Sequence, residues 1–171
     1  MKDESILQYT PAKWEKAFKS EKDNLLFCLP NFKVTIEHIG ATAVNSCRSF
    51  RNVDILLSTH DYGAVSTIAM VLKSKDYKEL KELSTLDCIV LVKKSKVYGC
   101  GITLRIVQYA SMTYRRITCF KIFLKESYDC VQRYNIFREA AIKTANFDIK
   151  EYNTMKYNYI NSILDERFRF E

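Results

Sequence analysis

Every segment with a strand-like pattern in this chain ends by Tyr109, and beyond Tyr114 apolar residues recur only at helical spacing. That division constrains the fold more than any other feature. "FKVTIEHI" (32–39) is β-branched and alternating, which fits a strand, and "NVDILL" (52–57) is a short apolar run suited to a central strand covered on both faces. "LDCIVLVKK" and "GITLRIVQY" predict two more strands, joined by "SKVYGCG", whose glycines suit a hairpin turn.

Helices frame these strands. "TPAKWEKAFKSEKDNLLFCL" opens with Thr10 as N-cap and Pro11 at the first helical position, carries Trp14, Ala17, Phe18, Leu25 and Cys28 at helical spacing, and ends at Pro30. "YGAVSTIAMVLKSK" predicts a second helix, with Ala64, Ile68, Val71 and Leu72 on one face. Later apolar faces are Ile117, Phe120, Phe123 and Leu124, then Val131, Tyr134, Phe137 and Ala141. Asp148 with Glu151 resembles a capping box for a last helix, whose Tyr152, Met155, Tyr159 and Ile163 stripe reads as core. The order is helix, strand, strand, helix, strand, strand and then about three helices. The expected class is α+β: a small mixed sheet with flanking helices in a single domain over 1–171, its sheet core at about 10–110 and its helical part at about 111–171.

Composition narrows the partners. At 171 residues the chain is long enough for one real core, and 47% hydrophobic with 27% charged residues is a globular balance. No apolar run approaches the roughly 18–20 residues that span a bilayer, and "MKDESILQY" lacks the apolar centre of a secretory signal, so a cytoplasmic protein without a membrane partner is expected. The six cysteines show no short Cys-x₂₋₄-Cys step, which predicts reduced, mostly buried thiols. A net charge of +7 permits an anionic partner. Lys and Arg are nevertheless interspersed with acids, and the locally basic "YRR" and "VKKSK" are not nucleic-acid motifs.

Chemistry points to one stretch, "VTIEHIGATAV", followed by "NSCRSFRNVDILL". Gly40 sits at the end of a predicted strand before small residues, a place where backbone can approach an anion, and Asp54 falls fourteen residues later on the next strand. Nucleotidyl transfer uses this layout, a small-residue turn for the triphosphate and acids on the neighbouring strand for Mg²⁺. The metal needs at least two carboxylates, usually at i and i+2, which share a strand face. On these residues alone an equal alternative stands: Gly40 serves a turn, and Asp54 caps a loop or pairs with Arg48 or Arg51.

The wider pattern resembles the GrpB family of the nucleotidyltransferase superfamily. The likeness runs through "YTPAKWEKAFKSEKDNL", "IEHIGATAV", "TCFKIFLKE", "YNIFREAA" and "YNTMKYNYI", in order and over nearly the whole chain. It implies a nucleotidyltransferase-like core with a helical tail. The departures fall where the chemistry belongs. Ala41 replaces the Ser after the glycine, Asn45 and Ser46 replace Pro-Gly, and Phe50 replaces a Lys. The second acid of the family's D-x-D pair is Leu56, and its H-L-H strand reads Thr103-Leu104-Arg105.

Three readings follow. In the first, a degenerate site binds a nucleotide or other phosphorylated ligand with little or no two-metal catalysis. Asp54, Glu37 and His38 are its chemical candidates, and Gly40, Ala41, Thr42, Arg105 and Arg51 its ligand-binding candidates. In the second, the chain is an active Mg²⁺-dependent transferase with a rearranged site, Asp54 and Glu37 holding the metal. Glu37 has an alternative role, pairing with a nearby Arg. In the third, the chain is an interaction module whose aromatic helices meet a partner protein or a second copy.

Overall fold

The computed structural model describes residues 11–168, so the cap expected at Thr10 lies outside the described residues. Helix α1 (Pro11–Cys28) leads into strand β1 (Val34–Ile39), a 3₁₀ turn at Ala41–Ala43, and β2 (Asn52–Thr59). Helix α2 (Val65–Lys73) precedes β3 (Lys78–Glu79), β4 (Cys88–Ser95) and β5 (Cys100–Gln108). The rest is helical: α3 (Met112–Glu126), α4 (Tyr128–Thr144) and α5 (Ile149–Phe168). The expected α+β order holds, with one addition. β3 is a two-residue strand, too short to leave any alternation in the sequence.

The strands form one mixed sheet in the order β1-β2-β5-β4-β3. β1 runs antiparallel to β2, β2 parallel to β5, and β5 antiparallel to β4, as the hairpin at residues 96–99 requires. β2 is therefore interior, and Val53, Ile55, Leu56 and Leu57 are each fully buried. An acid in such a strand needs an opening over it, and Asp54 is only partly buried.

One face of the sheet carries Val53, Ile55, Leu57, Ile102, Leu104 and Ile106 against α1 and α2, forming the main core. Glu21 of α1, itself almost fully buried, ties that layer to the sheet by accepting from Lys93 Nζ at 3.1 Å and from the Tyr77 hydroxyl. The opposite face carries Ile39, Leu56, Val90 and Val107 beneath Tyr114 and Ile117 of α3. The three C-terminal helices pack on one another through Phe120, Leu124, Val131, Tyr134 and Leu164, joined by Ala41, Val44 and Cys47 from the β1–β2 connection. Ser111 caps α3 and Ser127 caps α4, each accepting from a backbone N–H at 3.2 Å. Asp148 caps α5, its Oδ1 accepting from Lys150 N at 2.8 Å and Glu151 N at 3.2 Å. All six cysteines are free.

Candidate functional site

An open groove of about 1960 Å³ runs around Asp54 from the helical half, past the β4–β5 hairpin, to Ser20, Glu21 and Asn24 of α1. It is large for a small-molecule site. The sheet contributes Asn52, Asp54, Thr103 and Arg105, the β1–β2 connection Ala41, Phe50 and Arg51, and the helices Arg138, Tyr152 and Lys156.

Strand register explains which side chains share this wall. Ile39, Asp54, Thr103 and Val92 form one cross-strand row, and Glu37, Leu56, Arg105 and Val90 form the next row on the same face. Asn52 Nδ2 donates to Asp54 Oδ1 and to Thr103 Oγ1, both at 3.1 Å, fixing the carboxylate over the sheet. Gly40 has φ +70° and ψ −165°, backbone that other residues rarely adopt, and a Cβ there would meet Asp54 Oδ2. The glycine thus serves a turn and also makes room for the acid.

The other expected residues scatter. Glu37 shares the face of Asp54, but it accepts from Lys121 Nζ at 3.0 Å and from the Tyr114 hydroxyl at 3.4 Å, both on α3. Its partner is a lysine, where the sequence suggested an arginine. His38 points the other way, as alternate strand residues must. Its ring stacks on Phe18 of α1 at 4.7 Å, and its Nε2 shares a 2.9 Å hydrogen bond with Thr42 Oγ1. Burial, with Lys121 and Lys125 nearby, lowers His38 to a pKa of about 4, so it is neutral at physiological pH. His38 and Thr42 therefore satisfy each other on the α1 side, and neither lines the groove. Ala41, Arg51, Asp54 and Arg105 do line it.

Two helical cations are unforeseen members of this wall. Arg138 is 3% exposed. It donates to the Tyr152 hydroxyl at 2.8 Å and to the Arg48 carbonyl, and lies over the rings of Phe50 and Tyr134 at 5.5 and 5.2 Å. Lys156 keeps some accessible surface, yet atoms crowd its ammonium. Burial lowers its pKa to about 8, with Asp54 opposing the shift and Arg138 and Arg105 adding to it. Both residues stand in segments already quoted for their pattern, "YNIFREAA" and "YNTMKYNYI", where a charge within an apolar stripe was the available signal.

The donor set does not fit a metal held by paired carboxylates. Leu56, two residues on from Asp54 on the same strand face, is fully buried and packs with Ile39, Val90 and Val107. Glu37 is engaged by Lys121, and among the described residues no group of three His, Cys, Asp or Glu is placed to hold a metal ion.

The profile described as GrpB protein matches residues 5–166, and the chain belongs to the GrpB family. The conserved protein GrpB from Enterococcus faecalis is similar in structure, with a TM-score of 0.79 and 22% identity over 97% of this chain and 100% of that one. The Cid1 poly(U) polymerase bound to MgGTP is similar with a TM-score of 0.57 and 11% identity, covering 80% of this chain and 44% of that one. A cytoplasmic RNA terminal U-transferase gives 0.53 and 11%, covering 80% and 43%. These likenesses carry the nucleotidyltransferase-like fold. No curated protein compared with the sequence matches it. Among the described residues no helix is long and apolar enough to cross a membrane.

Proposed function

We propose that this GrpB-family chain binds a nucleotide or other phosphorylated small molecule in the groove beside Asp54, with little or no two-metal catalysis. One observation carries the reading. Arg105, Arg138 and Lys156 gather on the same groove as Asp54, while the i+2 position on its strand face, where a second metal-holding acid would stand, is filled by the buried Leu56. The groove lining carries eight Lys and Arg side chains against Glu21, Asp54 and Asp76, an excess of positive charge that suits a polyanion better than a divalent cation. Arg105, paired in register with Leu56, supplies a fixed positive charge where the family strand carries histidine.

A thermal-shift titration with each of the four nucleoside triphosphates, with and without Mg²⁺, tests it. A ligand at 100 times its Kd stabilises a fold by about 2.7 kcal/mol, which is readily measured. The expected result is a shift that does not need Mg²⁺. A shift that requires Mg²⁺, with pyrophosphate released, would establish an active transferase instead. No shift with any of them would favour an interaction module.

A further inference from the structure

Lys156 is the groove lysine that comes from the helical half. It reaches the cavity from the middle of α5, one turn after Tyr152, and makes no hydrogen bond or ion pair with any described residue. Arg138, by contrast, is anchored by Tyr152 and the Arg48 carbonyl. The charged groups that act on the Lys156 ammonium are Asp54 from β2, Arg138 from α4 and Arg105 from β5. Arg51 of the β1–β2 connection lines the same groove.

A phosphate brought close to Asp54 meets a carboxylate of like charge, so something positive has to stand between them. In a two-carboxylate site a divalent cation does this. Here Leu56 and the Glu37–Lys121 pair leave Asp54 without a second acid on its strand face, and the helical half supplies positive charge beside it through Lys156 and Arg138. Lysine suits the position, because its compact ammonium carries three donors and can face a carboxylate and a phosphate at once. We propose that Lys156 takes the place of the metal, bridging Asp54 to a di- or triphosphate ester that binds as the free, metal-uncomplexed anion. The inference rests on the phosphorylated-ligand reading above and names the form of ligand that site accepts. It also gives α5 a role in binding, since removing the helix would remove the bridging charge.

The test is calorimetric titration of ATP, and separately of inorganic tripolyphosphate, into the intact chain in EDTA at pH 7 and pH 9. Wild type, Lys156→Met and Lys156→Arg are compared, each first checked for an unchanged melting profile. With a pKa of about 8, the charged fraction of Lys156 falls from roughly nine tenths to one tenth across that range. Wild type should bind in EDTA, with affinity falling about five- to tenfold at pH 9. Lys156→Met should lose at least tenfold at pH 7. Lys156→Arg should keep binding and lose the alkaline fall, which also controls for the titration of the probe itself. Binding that requires Mg²⁺, or binding by Lys156→Met equal to wild type, would overturn this inference while leaving the phosphorylated-ligand reading intact. No binding of either probe to wild type, with or without Mg²⁺, would overturn both.

Discussion

A Cβ built on Gly40 would stand 2.7 Å from Asp54 Oδ2 and 3.2 Å from Asp54 Cβ. The two residues are therefore one device. The end of β1 is stripped of its side chain so that the acid of the adjacent strand can turn into the groove.

Gly40→Ala should lower stability by about 2–4 kcal/mol, combining the strain of a positive φ with the contact on Asp54. Asp54→Ala in the same chain should return part of that loss, because the carboxylate oxygen is the nearest obstacle. The φ contribution should remain. A double-mutant cycle by urea unfolding measures the coupling, and strict additivity would show that the two side chains do not meet.

His38 makes stability pH-dependent in a definite window. The folded imidazole stays neutral down to about pH 4, whereas the unfolded one takes a proton near 6.5. The unfolded chain binds more protons between those values, so stability falls as pH drops from about 6.5 to about 4 and is undiminished above about 6.5. The loss should reach about 2–3 kcal/mol. His38→Gln should be the less stable protein at pH 7, and its deficit should narrow by pH 4.5. Urea unfolding at both values checks this, and a constant deficit would mean that the histidine is not buried neutral.

Sequence patterns revealed the elements better than they revealed the site. α1, the strands at 34–39, 88–95 and 100–108 and the three late helices were legible from their apolar periodicity, and β2 (52–59) from an unbroken apolar run buried on both faces. β3 was not, because two residues hold no period. At the site, Gly40 and Asp54 were readable from a turn and an acid within an apolar run. Strand alternation could have separated His38 from Asp54, but only with the β1–β2 register known, which here sets Ile39 opposite Asp54. Arg138 and Lys156 showed in sequence only as charges within apolar stripes, and tertiary packing alone brings them from helices far along the chain to β2 and β5.

The β1–β2 connection that walls the groove depends on Asn135 of α4. This buried amide accepts from Arg48 N at 2.9 Å and donates to the Ser46 carbonyl at 3.0 Å. Asn135→Ala leaves both backbone groups without that partner, and a loss of about 2–3 kcal/mol is expected. Hydrogen exchange should locate the change, with Arg48 NH becoming faster while amides of β5 exchange as before. Unaltered exchange at Arg48 would show that the loop is held by other means.

Leu56→Asp adds a second acid two residues from Asp54 on the same strand face but should not create a metal site. The new carboxyl would lie among Ile39, Val90 and Val107, where Leu56 is fully buried, beneath Tyr114 and Ile117 of α3. Burying an acid there should cost about 3–5 kcal/mol. The carboxyl would be driven towards its neutral form, the opposite of what a divalent cation needs. Urea unfolding and a Mn²⁺ titration of the folded variant decide the matter. A variant as stable as its parent that also gains Mn²⁺ binding would mean that position 56 opens to the groove, and that a second acid there is enough to make a metal site without repacking the sheet face.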